Sequence, residues 1–286
     1  MTILLAGCGD LGTEAGLRFA AAGQRVVGWR RSPDKLPAEI EGAAANLSTA
    51  KLPPVPADTT AVVIAVAADA PTEEAYRSAY LDGVAHVLDA LERDHVTPER
   101  VLFVSSTAVH GDAGGGWIDE NTTPEPAGFS GRIMREAEEL LLKRLDGTRT
   151  SPIVLRLGGI YGPGRTRLID QVRTGSAIIP DQPRFTNRIH RDDAAGAIVR
   201  LCTMSAVPSP VYLGVDNDPA ELGDVLRFLA AELGMDVPLT GSLGDARGGN
   251  KRCSNALLRE TGYSFKYPTF REGYRDILAG VGVRHP

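Results

Sequence analysis

The sequence predicts a doubly wound α/β fold, a parallel sheet with helices on both faces, followed by a smaller C-terminal lobe. Three observations predict it. Short apolar runs typical of buried strands recur through the first 160 residues, helix-compatible segments separate them, and a glycine-rich turn follows the first run. With 286 residues, of which 43% are hydrophobic, the chain can bury one large core and a smaller second one.

Strands and helices alternate along the first part of the chain. The predicted strands are short and continuously apolar: residues 2–6, 24–29, 61–67, 101–104 and 153–157. The predicted helices are residues 13–22, which stop before Gly23, then 73–93, which carry an apolar stripe, and 133–145.

The alternation breaks after residue 160, where Pro163 and Gly164 interrupt the chain. We expect an irregular segment over 176–193 and an aromatic packing tail over 263–278. One strand near 211–215 should return to the main sheet, and helices should span 219–233 and 254–262. The predicted domains are therefore residues 1–160, which bind a dinucleotide as argued below, and residues 161–286, mainly a substrate-binding lobe.

Composition excludes several classes of protein. The net charge of −5 disfavours nucleic-acid binding, and no apolar run reaches the roughly 18 residues of a membrane span. The N-terminal segment lacks the basic start of a signal peptide. Three scattered cysteines without CxxC spacing indicate a reducing compartment and no zinc site. We expect a cytoplasmic monomer or homodimer that binds no metal, membrane or nucleic acid.

The glycine-rich turn reads Gly7-Cys8-Gly9-Asp10-Leu11-Gly12, between a predicted strand and a predicted helix. In this pattern the first glycine permits a tight turn, the second lets the backbone approach a pyrophosphate, and the third lets helix and strand pack closely. The helix N-terminus adds free N–H groups that attract phosphates. The context predicts a Rossmann-type dinucleotide site. The alternative is a glycine-rich turn without a ligand, with Cys8 as a small filler.

The end of the second strand bears on the choice of cofactor. NAD-specific sites place an acidic residue there for the ribose 2′-hydroxyl, whereas this chain has Arg30, Arg31 and Ser32 and no carboxylate before Asp34. Two guanidiniums suit a 2′-phosphate, so we expect NADP in preference to NAD. The alternative is that both arginines are solvated surface charges. The predicted cofactor residues are Gly7, Gly9, Asp10, Leu11, Gly12, Arg30, Arg31, Ser32, Asn46, Leu47, Ala65, Val66, Ala67, Ser105, Leu157 and Gly158.

Several segments together resemble the short-chain dehydrogenase/reductase superfamily, in its extended epimerase/dehydratase-like branch. Besides the glycine loop, they are SSTAVHG at 105–111, RLGGIYGPG at 156–164 and RIHRDDA at 188–194. The resemblance covers nearly the whole chain. It implies a Rossmann fold, a nicotinamide cofactor and oxidoreductase or epimerase-like chemistry.

The chain departs from the catalytic pattern that the resemblance implies. The family uses a serine or threonine, a tyrosine, and a lysine four residues after the tyrosine. Ser106 matches the serine, but Ser130 stands in the tyrosine register and Met134 in the lysine register. A tyrosine whose pKa is lowered by a lysine exchanges protons near neutral pH, and an isolated serine hydroxyl does so poorly. We therefore expect the usual mechanism to be crippled or rebuilt.

Few side chains could replace the missing tyrosine and lysine. His110 could act as a general acid or base, or be a hydrogen-bonded histidine at a strand end. Ser130 could hold a water or cap the following helix, and Tyr161 could contact substrate or be an apolar anchor. The predicted catalytic residues are Ser106, His110 and Ser130, and the predicted substrate residues are Thr107, Tyr161, Arg165 and Arg188.

Charge in the second half indicates the kind of substrate. Residues 156–191 hold seven arginines against two aspartates. In this fold class the segment lines the substrate cleft, which predicts an anionic small molecule, although a solvated face or a subunit contact would also fit. The first functional hypothesis is an NADP(H)-dependent oxidoreductase or epimerase-like enzyme. The second is a non-catalytic NADP-binding sensor or regulatory protein. A conventional sugar-nucleotide epimerase is disfavoured because it needs the missing tyrosine.

Overall fold

A computed structural model describes residues 1–242 and 249–286. Its strands, in chain order, are β1 (Thr2–Ala6), β2 (Arg25–Arg30), β3 (Glu41–Ala44), β4 (Thr59–Ile64), β5 (Arg100–Ser106), β6 (Trp117–Ile118), β7 (Ser151–Leu157), β8 (Gly159–Tyr161), β9 (Ile179–Pro180), β10 (Phe185–Thr186), β11 (Arg188–His190), β12 (Val211–Gly214), β13 (Ala220–Glu221), β14 (Thr240–Gly241) and β15 (Arg252–Cys253). Its α-helices are α1 (Asp10–Ala21), α2 (Glu73–Tyr76), α3 (Gly83–Arg93), α4 (Phe129–Leu145), α5 (Arg167–Arg173), α6 (Arg191–Thr203), α7 (Leu222–Leu233), α8 (Ala256–Glu260) and α9 (Phe270–Leu278).

Seven strands form one parallel sheet in the order β12-β7-β5-β4-β1-β2-β3. The strand order reverses between β1 and β4, and such a switch point opens a ligand crevice at the carboxyl ends of the strands. The predicted doubly wound α/β fold is confirmed. Strand β12 comes from the second half of the chain and pairs with β7 at the edge of this sheet.

Hydrophobic cores cover both faces of the sheet. One contains Phe19 of α1 and Ile198 of α6, and the other contains Leu88 of α3 and Leu141 of α4. Strand β1 is consequently buried along its whole length. A third cluster joins α5, α7 and α9, so the C-terminal lobe has its own core. The proposed division near residue 160 stays a prediction.

Two helices of the structure differ from the predicted helices in where they begin or end. Helix α1 begins at Asp10, three residues before the predicted start, because Gly9 is already the N-cap residue. The predicted helix over 73–93 is divided, since a π-helical turn over Arg77–Asp82 separates α2 from α3. Within the predicted aromatic tail, Thr269 and Glu272 form a capping box that starts α9.

A histidine caps helix α6. Its N-cap is His190, whose Nδ1 accepts a hydrogen bond from the backbone N–H of Asp192 at 3.2 Å. Asp192 and Asp193 instead lie in the first helical turn, where negative charge is favourable. In the described part of the chain, no helix combines the length and apolar character needed to cross a membrane.

Candidate functional site

The three glycines of the loop each meet a different geometric demand. Gly7 has a φ of +89°, and a Cβ there would lie 2.6 Å from the Ala65 carbonyl oxygen. A Cβ on Gly12 would lie 2.9 Å from the Gly7 carbonyl oxygen. By contrast, a Cβ placed on Gly9 would meet no atom of the surrounding described residues within 4 Å. Folding accounts for Gly7 and Gly12, whereas the opening at Gly9 faces space that a ligand can fill.

A cavity of about 1000 Å³ lies beyond this loop, and we call it the dinucleotide cavity. All the predicted cofactor residues line it. Its lining is Gly7, Cys8, Gly9, Asp10, Leu11, Gly12, Trp29, Arg30, Arg31, Ser32, Lys35, Ala45, Asn46, Leu47, Ser48, Ala65, Val66, Ala67, Ala68, Asp69, Ala75, Ser78, Ala79, Tyr80, Val104, Ser105, Ser106, Met134, Leu157, Gly158, Ile160 and Arg165. The Cys8 thiol is fully buried and burial raises its pKa to about 11, which suits a filler and not a nucleophile.

The arginines at the end of β2 already have partners. Arg31 donates two hydrogen bonds to the Asp69 carboxylate at 2.6 and 2.8 Å, and both side chains are more than 60% exposed. The Nη1 atom of Arg30 lies 3.0 Å from the Pro286 carbonyl oxygen. An exposed ion pair contributes less than about 1 kcal/mol, so a phosphate can compete for Arg31.

The carboxylate of Asp10 faces the C-terminal lobe. It accepts hydrogen bonds from Arg165 Nε at 3.0 Å, Arg191 Nη1 at 2.9 Å and the backbone N–H of His285 at 3.1 Å. These bonds compensate a negative charge that would otherwise repel phosphates at the N-terminus of α1. They also fasten the lobe to the glycine loop.

A second cavity of about 980 Å³ adjoins the first, and we call it the substrate cavity. The two share Ser106, Met134, Gly158, Ile160 and Arg165, which form the junction. The four predicted substrate residues line the second cavity. Among the described lining residues, the cations are Arg165, Arg167, Arg184, Arg188 and Lys251, and the one carboxylate is Asp170.

Helix α4 carries the residues in the tyrosine and lysine registers to this junction. A Cβ on Gly131 would collide with the Ala108 carbonyl oxygen, so this glycine lets α4 pack closely on the turn after β5. Ser130 lines the substrate cavity beside Ser106 and Thr107. Helix α4 begins at Phe129 after Gly128, without a side-chain cap, so the interpretation of Ser130 as a cap is wrong.

His110 lies apart from both cavities. It is 3% exposed, and its Nε2 accepts a hydrogen bond from Arg156 Nη1 at 3.1 Å. Its Nδ1 has no hydrogen-bond partner among the described residues. Burial, reinforced by Arg156 and Lys251, lowers its pKa to about 4. The neutral, enclosed ring belongs to the packing behind the site, and the expected general acid or base is not where a substrate would bind.

Tyr161 lines the substrate cavity as an anchored ring. It packs between His190, with ring centres 5.2 Å apart, and Tyr274, at 4.6 Å. Its hydroxyl lies 3.5 Å from the Thr269 carbonyl oxygen, and burial raises its pKa. These features suit the anchoring role better than proton transfer.

One tyrosine lies at this site although no local sequence pattern predicts it there. Tyr76 of α2 lines the substrate cavity, while Tyr80 in the next helical turn lines the dinucleotide cavity. The Tyr76 ring packs edge-on against Phe129, which precedes Ser130, with ring centres 5.5 Å apart. The fold thus brings a phenol from a different helix next to the turn of α4 that carries Ser130.

Lys251 is a second residue that sequence reasoning missed. It is 2% exposed and lines the substrate cavity, and its Nζ donates to the His110 carbonyl at 3.0 Å and the Gly111 carbonyl at 3.3 Å. Burial lowers its pKa. The tertiary fold brings it beside the residues that follow the turn after β5.

Comparison with known proteins agrees with this architecture. Protein YeeZ of Escherichia coli is 28% identical over 275 residues, covering 93% of this chain and 96% of that protein. The structure of a candidate NAD-dependent epimerase/dehydratase from Methylobacillus flagellatus is 36% identical, with a TM-score of 0.78 and 98% of both chains covered. A human epimerase family protein in complex with NADPH is 18% identical, covers 98% of this chain and 100% of its own, and shares the fold with a TM-score of 0.80.

A protein-family model also matches most of the chain. The model of the NAD dependent epimerase/dehydratase family matches residues 3–210, which hold the glycine loop, strands β1 to β11 except for the first residue of β1, and helices α1 to α6. The chain belongs to the NAD dependent epimerase/dehydratase family.

Proposed function

We propose that the protein is an NADP(H)-dependent oxidoreductase acting on a small anionic substrate. The observation that carries the proposal is the meeting of two cavities at Ser106 and Met134, one behind a glycine loop and the other lined by cations. A nicotinamide cofactor supplies or accepts a hydride when bound. The chain itself has to hold the cofactor, orient the substrate and handle a proton.

The residues present fit a dinucleotide. The opening at Gly9 and the N-terminus of α1 offer room and N–H donors for a pyrophosphate. The cavity lies at the switch point between β1 and β4, the usual place for such a ligand in an open α/β sheet. Arg30, Arg31 and Ser32 favour a ribose carrying a 2′-phosphate, and NADPH is the ligand of the human relative.

Proton handling has to differ from the usual pattern because Met134 carries no charge. The hydroxyl-bearing residues that line the substrate cavity include Ser106, which lies at the junction, and Thr107, Ser130 and Tyr76. A phenol is a far better proton donor near neutral pH than an aliphatic hydroxyl. Tyr76 is therefore our first candidate for the donor, and an already activated acceptor such as a protonated imine would demand least of it.

The proposal is tested in two measurements on the purified full-length protein. Titration with NADPH and NADH should give tighter binding of NADPH. NADPH oxidation is then assayed with ketones, imines and enoates, each with and without a carboxylate. Tighter binding of NADH contradicts the cofactor assignment. Absence of turnover across the panel contradicts the oxidoreductase assignment.

A second candidate function is NADP binding without catalysis, as a sensor or regulatory protein. The observation that favours it is Met134 at the junction, in the register where the family lysine is expected. It predicts tight NADPH binding without turnover and a partner protein whose association depends on NADPH. Turnover of any substrate in the panel excludes it.

A further inference from the structure

The side chain of Arg188 is buried with part of its guanidinium unpaired. Arg188 is 4% exposed, and its Nη2 donates a hydrogen bond to Thr186 Oγ1. Its guanidinium carbon lies 5.2 Å from the centre of the Phe270 ring. Within residues 1–242 and 249–286, its Nη1 has no hydrogen-bond partner. A buried polar group without a partner is costly, so a structure retains one only where something compensates.

The other buried arginines among the described residues are paired. Arg156 lies 2.7 Å from the carboxylate of Glu138, and Arg191 lies 2.9 Å from that of Asp10. In the described part of the chain Arg188 has no carboxylate within 4.0 Å. Arg188 therefore differs from its buried counterparts in lacking a counterion.

Asp216 interacts electrostatically with Arg188 but forms no ion pair with it among the described residues. Asp216 is 2% exposed, and its Oδ2 also lacks a partner among the described residues. Burial raises the pKa of Asp216 to about 8, although Arg188 opposes the shift. Burial thus favours the protonated form of this carboxyl, which in that form does not compensate the positive charge of Arg188.

Arg188 lies one strand away from the junction of the two cavities. Strand β11 runs parallel to β8, with the Cα atom of Arg188 opposite that of Gly159. The neighbours of Gly159, namely Gly158 and Ile160, line both cavities. Adjacent strands lie about 4.8 Å apart, so the backbone of Arg188 is one strand away from the junction.

We infer that Arg188 is the anion-binding group of the substrate site and that its guanidinium donates to a carboxylate or phosphate oxygen of the substrate. The inference deepens the proposed function and rests on it for treating this cavity as the substrate site. Tyr161 and Tyr274, which line the same cavity, shield the contact from water and strengthen it.

The test uses malonate and inorganic phosphate as probes, with sodium chloride holding the ionic strength constant. Each is titrated into the full-length protein saturated with NADPH, and the melting temperature is followed. We expect at least one probe to raise the melting temperature of the wild type. Arg188→Met should weaken the binding of that probe about tenfold or more, because a charged hydrogen bond is lost. Whether malonate or phosphate raises the melting temperature shows whether the site binds a carboxylate or a phosphate.

A matched control is Arg173→Met, an exposed arginine of α5 outside the cavity lining, which should leave the response unchanged. Without added anion, Arg188→Met should melt at or above the wild-type temperature, because an unpaired buried charge has been removed. If that variant fails to fold, Arg188→Lys keeps the charge and removes Nη1, and it should weaken the probe as well.

The inference is overturned if neither probe shifts the wild type, or if the variants at Arg188 respond as the wild type does. Its failure is distinguishable from failure of the proposed function. NADPH affinity is measured in parallel, and the malonate titration is repeated without cofactor, so the anion response is recorded whether or not NADPH binds.

Discussion

Glu138 of α4 and Arg156 of β7 form a buried ion pair, with Arg156 Nη2 2.7 Å from Glu138 Oε2 and Arg156 Nε 3.1 and 3.2 Å from the two carboxylate oxygens. The Ser105 hydroxyl donates to the same carboxylate, and His110 accepts from Arg156. The pair therefore ties α4, which carries Ser130 and Met134, to the two strands beside the junction.

Breaking this pair should destabilise the fold. Arg156→Met leaves Glu138 buried without a counterion, and we expect the free energy of unfolding to fall by about 3–5 kcal/mol. The neighbouring Glu139 forms an exposed pair with Arg135, and Glu139→Gln should change it by less than about 1 kcal/mol. Urea denaturation checks both. Equal effects of the two substitutions would contradict the assigned role.

The loop glycines should separate folding from cofactor binding. Gly7→Ala forces a side chain into a positive φ and against the Ala65 carbonyl, and it should cost about 1–2 kcal/mol of stability or more. Gly9 has a φ of −86° and open space around it. Gly9→Ala should therefore fold normally while NADPH binding weakens at least severalfold. Normal NADPH affinity in Gly9→Ala would contradict placement of the pyrophosphate at this opening.

Asp69 should oppose binding of a 2′-phosphate because its carboxylate occupies Arg31. Asp69→Asn frees the guanidinium and removes a nearby negative charge, and NADPH affinity should rise by about two- to fivefold. Arg31→Met should weaken NADPH by about tenfold. NADH, which lacks the phosphate, serves as the control ligand in fluorescence titrations. A parallel change in NADH affinity would show that the ribose end of the cavity is wrongly assigned.

Tyr76 and Tyr80 offer a matched pair for the proposed chemistry, since their ring centres lie 5.2 Å apart and they line different cavities. Tyr76→Phe should lower kcat by about 10²- to 10⁴-fold, the usual contribution of a positioned proton donor, and leave NADPH affinity unchanged. Tyr80→Phe should have little effect on kcat. Once a substrate has been found, an unchanged kcat in Tyr76→Phe removes it as the donor.

Acid should destabilise the protein through two buried histidines. Burial lowers the pKa of His110 and of His190 from 6.5 to about 4. The unfolded chain therefore takes up protons first as pH falls below 6.5, and stability present above that pH is lost down to about pH 4. The loss is up to about 3 kcal/mol per histidine. Urea denaturation at pH 7 and pH 5 measures it.

The control for this pH effect is the exposed His95. His110→Gln should flatten the pH dependence of the free energy of unfolding, and His95→Asn, which suits the positive φ of that position, should leave it unchanged. A pH dependence between pH 7 and pH 5 that is the same in the wild type and in His110→Gln would contradict the neutral state of the buried His110 ring.

The dinucleotide side of the site is largely readable from the sequence. A glycine loop between a strand and a helix is a local pattern, and parallel strands bring their carboxyl ends to one edge of the sheet. Residues as distant as Arg30, Ala65 and Ser105 therefore line one cavity as expected. The prediction that Ser130 and Met134 stand in the tyrosine and lysine registers likewise depends only on spacing along a single helix.

The substrate side was only partly predictable: Thr107, Tyr161, Arg165 and Arg188 line the cavity as expected. Tertiary structure decided the rest. Tyr76 and Lys251 reach the cavity from distant parts of the chain, His110 turns into the packing behind it, and Arg188 is buried with no counterion among the described residues. No local pattern encodes these facts. Periodicity and glycine spacing report the backbone path, whereas side-chain burial and pairing depend on which distant segments the folded core brings together.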